Sequence, residues 1–231
     1  MSLFAIGDTH LSLGDPKKSM AIFPGWENYC ELLQKRWNAV VTERDTVVLN
    51  GDISWAMQLS DCVPDFTFLN ELNGKKIIIK GNHDYWWTTM AKMQAFLREN
   101  EFDTIDILNN NAFEVGDFVV CGTRGWFFDD AEAPDKKVLL REAGRLRTSI
   151  EAGIKTGKEP IVFLHYPPLS DTLVCHEIMD VLKEYSITRC YFGHLHNEKT
   201  DRFRDFYNDS IRFCLISSDF LRFRPKLIEK F

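Results

Sequence analysis

Residues 3–10, Leu-Phe-Ala-Ile-Gly-Asp-Thr-His, set a pattern that recurs through the chain. Leu3–Ile6 is a short apolar run with the length and composition of a buried strand. Gly7 lets the chain turn sharply off that strand, and Asp8 and His10, two metal-ligand residue types, follow at once. The unit returns three times. Thr46–Leu49 leads through Gly51 to Asp52, and Lys76–Ile79 leads through Gly81 to Asn82, His83 and Asp84. Cys190–Phe192 leads through Gly193 to His194 and His196, while Ile161–Leu164 runs straight into His165. A lone Gly-Asp is a common turn, but four strand-glycine-ligand units carry weight together.

In sheets built from strand–helix–strand units, ligands bind in the crevice beyond the carboxyl ends of the strands. Five strand ends that offer Asp, Asn or His therefore point to one shared site. Five of the six histidines lie at these ends, and only His176 does not. Any single one of them is read as easily as a hydrogen-bonded loop or core histidine. Packing histidines would not be confined to strand ends.

Working outward, further apolar runs at Ile105–Leu108, Phe118–Cys121 and Ile211–Ile216 complete a set of strands. Helical spacing fills Trp26–Val41, Asp65–Leu72, Tyr85–Arg98 and Pro134–Ile154, the last with Leu139, Ala143, Leu146, Ile150 and Ile154 on one face. Ile178, Val181, Leu182 and Tyr185 mark one more helix. The first half alternates strand and helix, which predicts parallel crossovers. Later the pattern changes: Gly116-Asp117 and Asn208-Asp209-Ser210 read as tight turns of antiparallel pairs. The expected fold is α/β, with two mixed sheets packed together and helices outside. No repeat, linker or low-complexity stretch divides residues 1–231, so one domain is expected.

The 231 residues are 45% hydrophobic and 27% charged, as in an ordinary globular protein. No apolar run is long enough for a bilayer, and the first ten residues lack the basic start and apolar core of a signal peptide. The expected location is cytoplasmic, with no membrane partner. A net charge of -6 gives no hint of a basic face, so a nucleic-acid partner is not expected. Arg202, Arg204, Arg212, Arg222 and Arg224 are where a local basic patch would form. The six cysteines are scattered without a CxxC pair and are read as reduced and buried.

The candidate metal ligands are Asp8, His10, Asp52, Asn82, His165, His194 and His196. This oxygen and nitrogen set, with no thiolate, suits manganese, iron, zinc or cobalt rather than a structural zinc site. Seven side chains are too many for one ion and fit two divalent or trivalent ions. A pair of ions about 3.5–4 Å apart clamps an in-line displacement at phosphorus. Asp52, the lone carboxylate between two ligand groups, is the candidate bridge. His83, beside Asn82, is in reach of a leaving group, and the residues alone leave open whether it is a ligand as well.

In order and spacing, Asp8-Thr9-His10, Gly51-Asp52, Gly81-Asn82-His83-Asp84, His165 and Gly193-His194-Leu195-His196 resemble the calcineurin-like metallophosphoesterase family. The resemblance implies a four-layer α-β-β-α sandwich. It implies that Asp8, His10, Asp52 and His196 hold one metal, and Asp52, Asn82, His165 and His194 the other. It makes His83 the general acid that contacts phosphate and protonates the leaving oxygen, with Asp84 orienting it. The attacking group would be a hydroxide shared by the metals. Family members often carry Asp or Arg three residues after the second-motif Asp, where this chain has Trp55. Its protein Ser/Thr phosphatases have Gly-Asn-His-Glu where this chain has Asp84, so a protein phosphatase is not expected.

Trp55, Tyr85, Trp86, Trp87, Trp126, Phe127, Phe128 and Tyr166 crowd these motifs, either as walls for a flat leaving group or as cover for the core edge. Arg124 follows another predicted strand and is a candidate phosphate-binding residue, or a surface one. The acidic run Asp129, Asp130, Glu132 and Asp135 reads as a solvated loop. The expected activity is hydrolysis of a small phosphomonoester or phosphodiester. The alternatives are a catalytically silent metal-binding scaffold, which such a complete ligand set argues against, and a nuclease, which would need a basic channel.

Overall fold

The computed structural model describes residues 1–126, 136–170, 173–197 and 203–231. In the first sheet β1 (Ser2–Ile6), β2 (Thr46–Asn50), β3 (Lys75–Ile79) and β4 (Ile105–Ile107) run parallel, side by side. Helices α1 (Tyr29–Asn38), α2 (Val63–Glu71) and α3 (Met90–Glu99) lie between them in sequence. The second sheet centres on parallel β6 (Phe118–Thr123), β7 (Glu159–Leu164), β8 (Arg189–Phe192) and β10 (Ile211–Leu215). Its antiparallel edges are β5 (Phe113–Val115) and β9 (Phe206–Asn208). Helices α4 (Lys136–Ile154) and α5 (His176–Glu184) serve this sheet, and β11 (Lys226–Lys230) returns to pair antiparallel with β1.

Successive side chains of a strand face opposite ways, so each apolar strand feeds two cores. Phe4, Ile6, Val47 and Leu49 pack outward with Leu33, Trp37 and Phe66 of the first helices. Leu3, Ala5, Val48 and Ile77 point inward and meet Val120, Ile161, Phe163 and Cys214 of the other sheet. Val119, Val162, Leu164 and Phe192 face Leu146, Ile150, Ile178 and Leu182 on the far side. The result is the expected α/β architecture, two mixed sheets sandwiched between helices. Among the described residues no helix is long and apolar enough to cross a membrane.

Both predicted tight turns form. Val115 pairs with Phe118 across Gly116–Asp117. Asn208 pairs with Ile211, leaving Asp209 and Ser210 at φ 47° and 66°, the backbone of a type I′ turn. Helix α3 begins at Met90 rather than near Tyr85, because Thr89 caps it by accepting from the Lys92 N–H. Residues 85–88 thereby stay outside the helix, and Tyr85 reaches His83. β11 has no strong sequence signal: a half-exposed edge of five residues, KLIEK, carries little apolar pattern.

The sheets are stitched where the site lies. The Gly7 N–H donates to the Ile216 carbonyl at 2.7 Å, and the Ser218 N–H to the Gly7 carbonyl at 2.9 Å. The Asn50 side-chain amide reaches the Leu164 carbonyl at 2.5 Å. The carboxyl ends of β1, β2, β3, β7 and β8 are thus fixed side by side.

Candidate metal centre

The loops leaving these strands hold unusual backbone. Asp8, His10, Asp52 and His194 adopt φ of 57°, 44°, 50° and 70°, left-handed values that cost a non-glycine residue about 1–3 kcal/mol each. Hydrogen bonds between loops enforce them. The Asp8 N–H donates to the Gly51 carbonyl, the His10 N–H to that of Asp52 and the Trp55 N–H to that of Leu11, each at 2.9 Å. Strain gathered on ligand-type residues is a mark of a functional site.

The glycines answer a different need. A Cβ on Gly81 would stand 2.1 Å from both the backbone nitrogen and Oδ1 of Asp52. A Cβ on Gly193 would stand 2.4 Å from Asp8 Oδ2. Gly51, at φ +87°, also packs where a Cβ would lie 2.6 Å from His165 Nδ1. The ligand loops are in backbone-to-carboxylate contact.

The expected ligands gather in two groups, Asp8 with His10 and His196, and Asp52 with His165 and His194. His10 Nε2 and His196 Nε2 are 3.1 Å apart. Asn82 Oδ1 lies 2.6 Å from His165 Nε2 and 3.0 Å from His194 Nδ1. Asp52 reaches towards both groups, with Oδ2 3.7 Å from His10 Nε2 and Oδ1 3.5 Å from His165 Nε2.

The outer hydrogen bonds decide which ring nitrogens carry protons. His165 Nδ1 is 3.1 Å from the Asn50 carbonyl, which can only accept. A neutral imidazole donating there turns a bare Nε2 lone pair toward the Asn82 oxygen. His196 Nδ1 is likewise 3.1 Å from Asp219 Oδ1, which holds the ring with Nε2 toward His10. The His165 lone pair thus confronts the Asn82 oxygen beside buried Asp8 and Asp52, an arrangement that a cation between them resolves. The donor set fits two transition-metal ions.

Electrostatics support this. Burial pushes His10 and His194 down to about 3 and lowers His165, so these rings stay neutral as ligands must. Burial also pulls His196 down, but Asp219 and Asp8 more than offset it and raise it to about 8, so this ring would release its Nε2 proton when an ion binds. Burial alone would raise Asp52, yet His165 and His10 hold it below the usual carboxylate range. Burial lifts Asp8 well above that range, against the pull of His196.

His83 stands at the edge of this cluster. Its ring centroid is 5.8 Å from that of His10 and 4.5 Å from that of Trp55, which stacks on His10 at 5.0 Å. The expected contact between Asp84 and the His83 ring is not among those Asp84 makes. Asp84 Oδ1 accepts from the N–H groups of Ile53 and Ser54 and from the Trp86 indole, at 2.8, 3.3 and 3.0 Å, and Oδ2 from the Gly81 N–H at 2.7 Å. The carboxylate pins the Asp52 loop to the Asn82 loop. The group beside His83 Nδ1 is the Tyr85 hydroxyl, at 3.4 Å.

Asp219 and Asn50 were not singled out from the sequence. Asp219 follows the predicted strand Ile211–Ile216, so the strand-end rule that found the candidate ligands would have reached it. Asn50 closes β2 and acts through its main-chain carbonyl, which sequence does not mark. Among the aromatics, Trp86 is buried against Phe66, Tyr166 lies 4.4 Å from the His194 ring, and Trp126 carries Arg124 on its face. His176 opens α5 at the surface. Phe127, Phe128, Asp129, Asp130, Glu132, Asp135 and Arg202 lie outside the described residues.

A family model for calcineurin-like phosphoesterases matches residues 1–198. No curated protein matches the chain significantly. Several solved structures share its fold. A phosphopantetheinyl hydrolase from Mycobacterium tuberculosis aligns with a TM-score of 0.59 at 14% identity, over 98% of this chain and 95% of its own. A protein of unknown function from Aquifex aeolicus aligns at 0.56 and 14% identity, with the same coverages of 98% and 95%. A Thermus thermophilus protein aligns at 0.56 and 13% identity, over 98% and 97%. At such identities these likenesses speak for the fold alone.

Proposed function

This chain belongs to the calcineurin-like phosphoesterase family, and we propose that it hydrolyses a small phosphomonoester or phosphodiester with two bound metal ions. The observation that carries this reading is the pair of inward-facing donor groups, Asp8, His10, His196 and Asp52, His165, His194. Asp8, His10, Asp52 and His196 would hold one ion, and Asp52, Asn82, His165 and His194 the other. Manganese, iron, zinc or cobalt suits these donors. The ions would neutralise the phosphate oxygens and acidify the attacking water.

The chain's own groups do the rest. Asn50 and Asp219 would hold the His165 and His196 rings with Nε2 toward the ions. His83 would donate a ring proton to the leaving oxygen, with Trp55 as its wall and the Tyr85 hydroxyl beside Nδ1. Asp84 would serve by keeping the Asp52 and Asn82 loops in register rather than by holding His83. Arg124, one hydrogen bond from Tyr166 through its carbonyl, would meet the substrate's negative charge.

The test is protein reconstituted with each candidate metal and offered an aryl phosphate, its bis-ester and nucleotides. Metal-dependent cleavage of at least one is expected, and cleavage of none overturns the reading. His83→Ala should lower turnover by about 10²–10⁴ with metal content kept; unchanged turnover removes His83 as the acid. Fewer than one ion per chain after reconstitution would favour the silent scaffold. We further propose that residues 1–231 form one domain, since both sheets share the core between them, and expect a single melting transition. Six unpaired cysteines, five of them buried, fit a reducing compartment such as the cytoplasm.

A further inference from the structure

Along the same rim of strand ends, next to the metal ligands, lies a cavity of about 340 Å³. Lys80 enters it from the end of β3, Arg124 from the end of β6 and Arg145 from α4, with Thr88, Asn109 and Thr123 between them. Only Gly81 separates Lys80 from Asn82, a proposed ligand. Arg124 accepts at its carbonyl from the Tyr166 N–H at 2.9 Å, and the Tyr166 ring lies against that of His194.

Among the described residues the charges in this cavity do not balance. Glu142 of α4 is fully buried and serves both arginines, with Oε1 2.6 Å from Arg145 Nη1 and 3.6 Å from Arg124 Nη2. Its Oε2 accepts from the Thr123 hydroxyl at 3.0 Å. Among the described residues, three cations of the cavity stand against this one carboxylate. Lys80 makes no hydrogen bond or ion pair among the described residues, and Arg124 Nε is buried without an acceptor. An excess of cations in a partly buried space is costly unless an anion joins them. The forked guanidinium donors and nearby hydroxyl and amide groups suit an anion with several oxygens.

We propose that this cavity binds a second phosphoryl group of the substrate, so that the preferred substrate is a small molecule bearing two phosphate groups, one cleaved at the metal centre and one held by Lys80, Arg124 and Arg145. This rests on the hydrolase reading above, and its test separates the two. Chelator-treated, metal-free protein is titrated with inorganic phosphate by calorimetry, so that no ion at the metal centre contributes. Saturable binding is expected, weakened about tenfold or more by Lys80→Met. The same variant should melt no lower than the parent, because it removes an unpaired cation from a partly buried place. Arg145 is a poor choice for this test, since its loss would strip a partner from buried Glu142; Arg124→Gln is the second variant.

With metal restored, kcat/KM for a nucleoside 3′,5′-bisphosphate should exceed that for the nucleoside 5′-monophosphate about tenfold or more, with the ratio falling toward one in Lys80→Met. No saturable phosphate binding, or binding that neither variant weakens, overturns the inference even when the monophosphate is cleaved. Intact, variant-sensitive phosphate binding with no ester cleaved overturns the hydrolase reading and leaves the anion site standing.

Discussion

Replacing Asp84 with Asn distinguishes a carboxylate that holds the scaffold from one that orients His83. Four donors converge on Asp84: three on Oδ1, from Ile53, Ser54 and Trp86, and one on Oδ2, from Gly81. Asparagine offers one acceptor oxygen. Its better orientation keeps that oxygen with the three donors and turns its amide against the Gly81 N–H. The loss is one charge-assisted hydrogen bond, about 1.5–3 kcal/mol, plus a buried unsatisfied donor, about 1–3 kcal/mol. Relief comes from no longer burying a charge near Asp52, the two effects that push Asp84 up to about 7. The net destabilisation should be about 1–4 kcal/mol, and a chain of this size loses about 2–4 °C of melting temperature per kcal/mol. Gly81 adjoins Asn82, so metal content should fall as well. The assay is thermal unfolding with metal analysis of the same sample. A variant that melts like the parent and keeps its metal, yet turns over slowly, would refute this and return Asp84 to His83.

Three further outcomes follow from named contacts. Asp219→Asn weakens the bond that holds the His196 ring, and metal affinity measured by competition with a chelator should drop about 10–100-fold; unchanged affinity would detach Asp219 from the centre. Gly81→Ala drives a Cβ to 2.1 Å from Asp52 and should strip metal from the site, whereas Gly144→Ala in α4, with nothing within 4 Å, should raise stability by about 0.5–1 kcal/mol. Equal effects of the two would mean that the tight approach is not what demands glycine. Asp45 is held below the usual carboxylate range: burial works against this, but the Thr42 hydroxyl and N–H and the Ser2 N–H outweigh it. A depressed pKa in the folded state gives stability that is present above the unfolded value and lost as pH falls through the folded one. Asp45→Asn should therefore cost about 1–2 kcal/mol at pH 7 and progressively less below pH of about 4, read from urea midpoints across pH; a gap that widens in acid would reverse the sign.

The strands, the two mixed sheets and the gathering of Asp and His side chains were legible because each rests on a local pattern: an apolar run buried on both faces, then a polar residue of ligand type. Asp84 shows the limit of that reading. Its neighbour in sequence is His83, and adjacency suggested partnership. In the fold its carboxylate is taken up instead by two backbone N–H groups of the Asp52 loop, thirty or so residues away, and by the Gly81 N–H and the Trp86 indole nearby. Lys80 was invisible for the opposite reason, since a lysine after an apolar strand looks like any solvated residue. Its meaning comes from Arg124 and Arg145, which two other elements bring to the same cavity.

The glycines carry the subtler lesson. A glycine before each ligand suggests that it supplies the sharp turn. Of Gly7, Gly51, Gly81 and Gly193, only Gly51 has positive φ, while Asp8, Asp52 and His194 bear the left-handed backbone themselves. The division of labour is thus reversed: the ligand residues turn the chain, and Gly81 and Gly193 make room for the carboxylates of Asp52 and Asp8. Asp is among the residues that tolerate left-handed backbone best, and here it also brings an oxygen to the centre. A motif of this kind therefore encodes two requirements at once, a strained ligand and an empty Cβ position facing a different ligand. The second belongs to the meeting of two distant loops and becomes visible only when the sheets are joined.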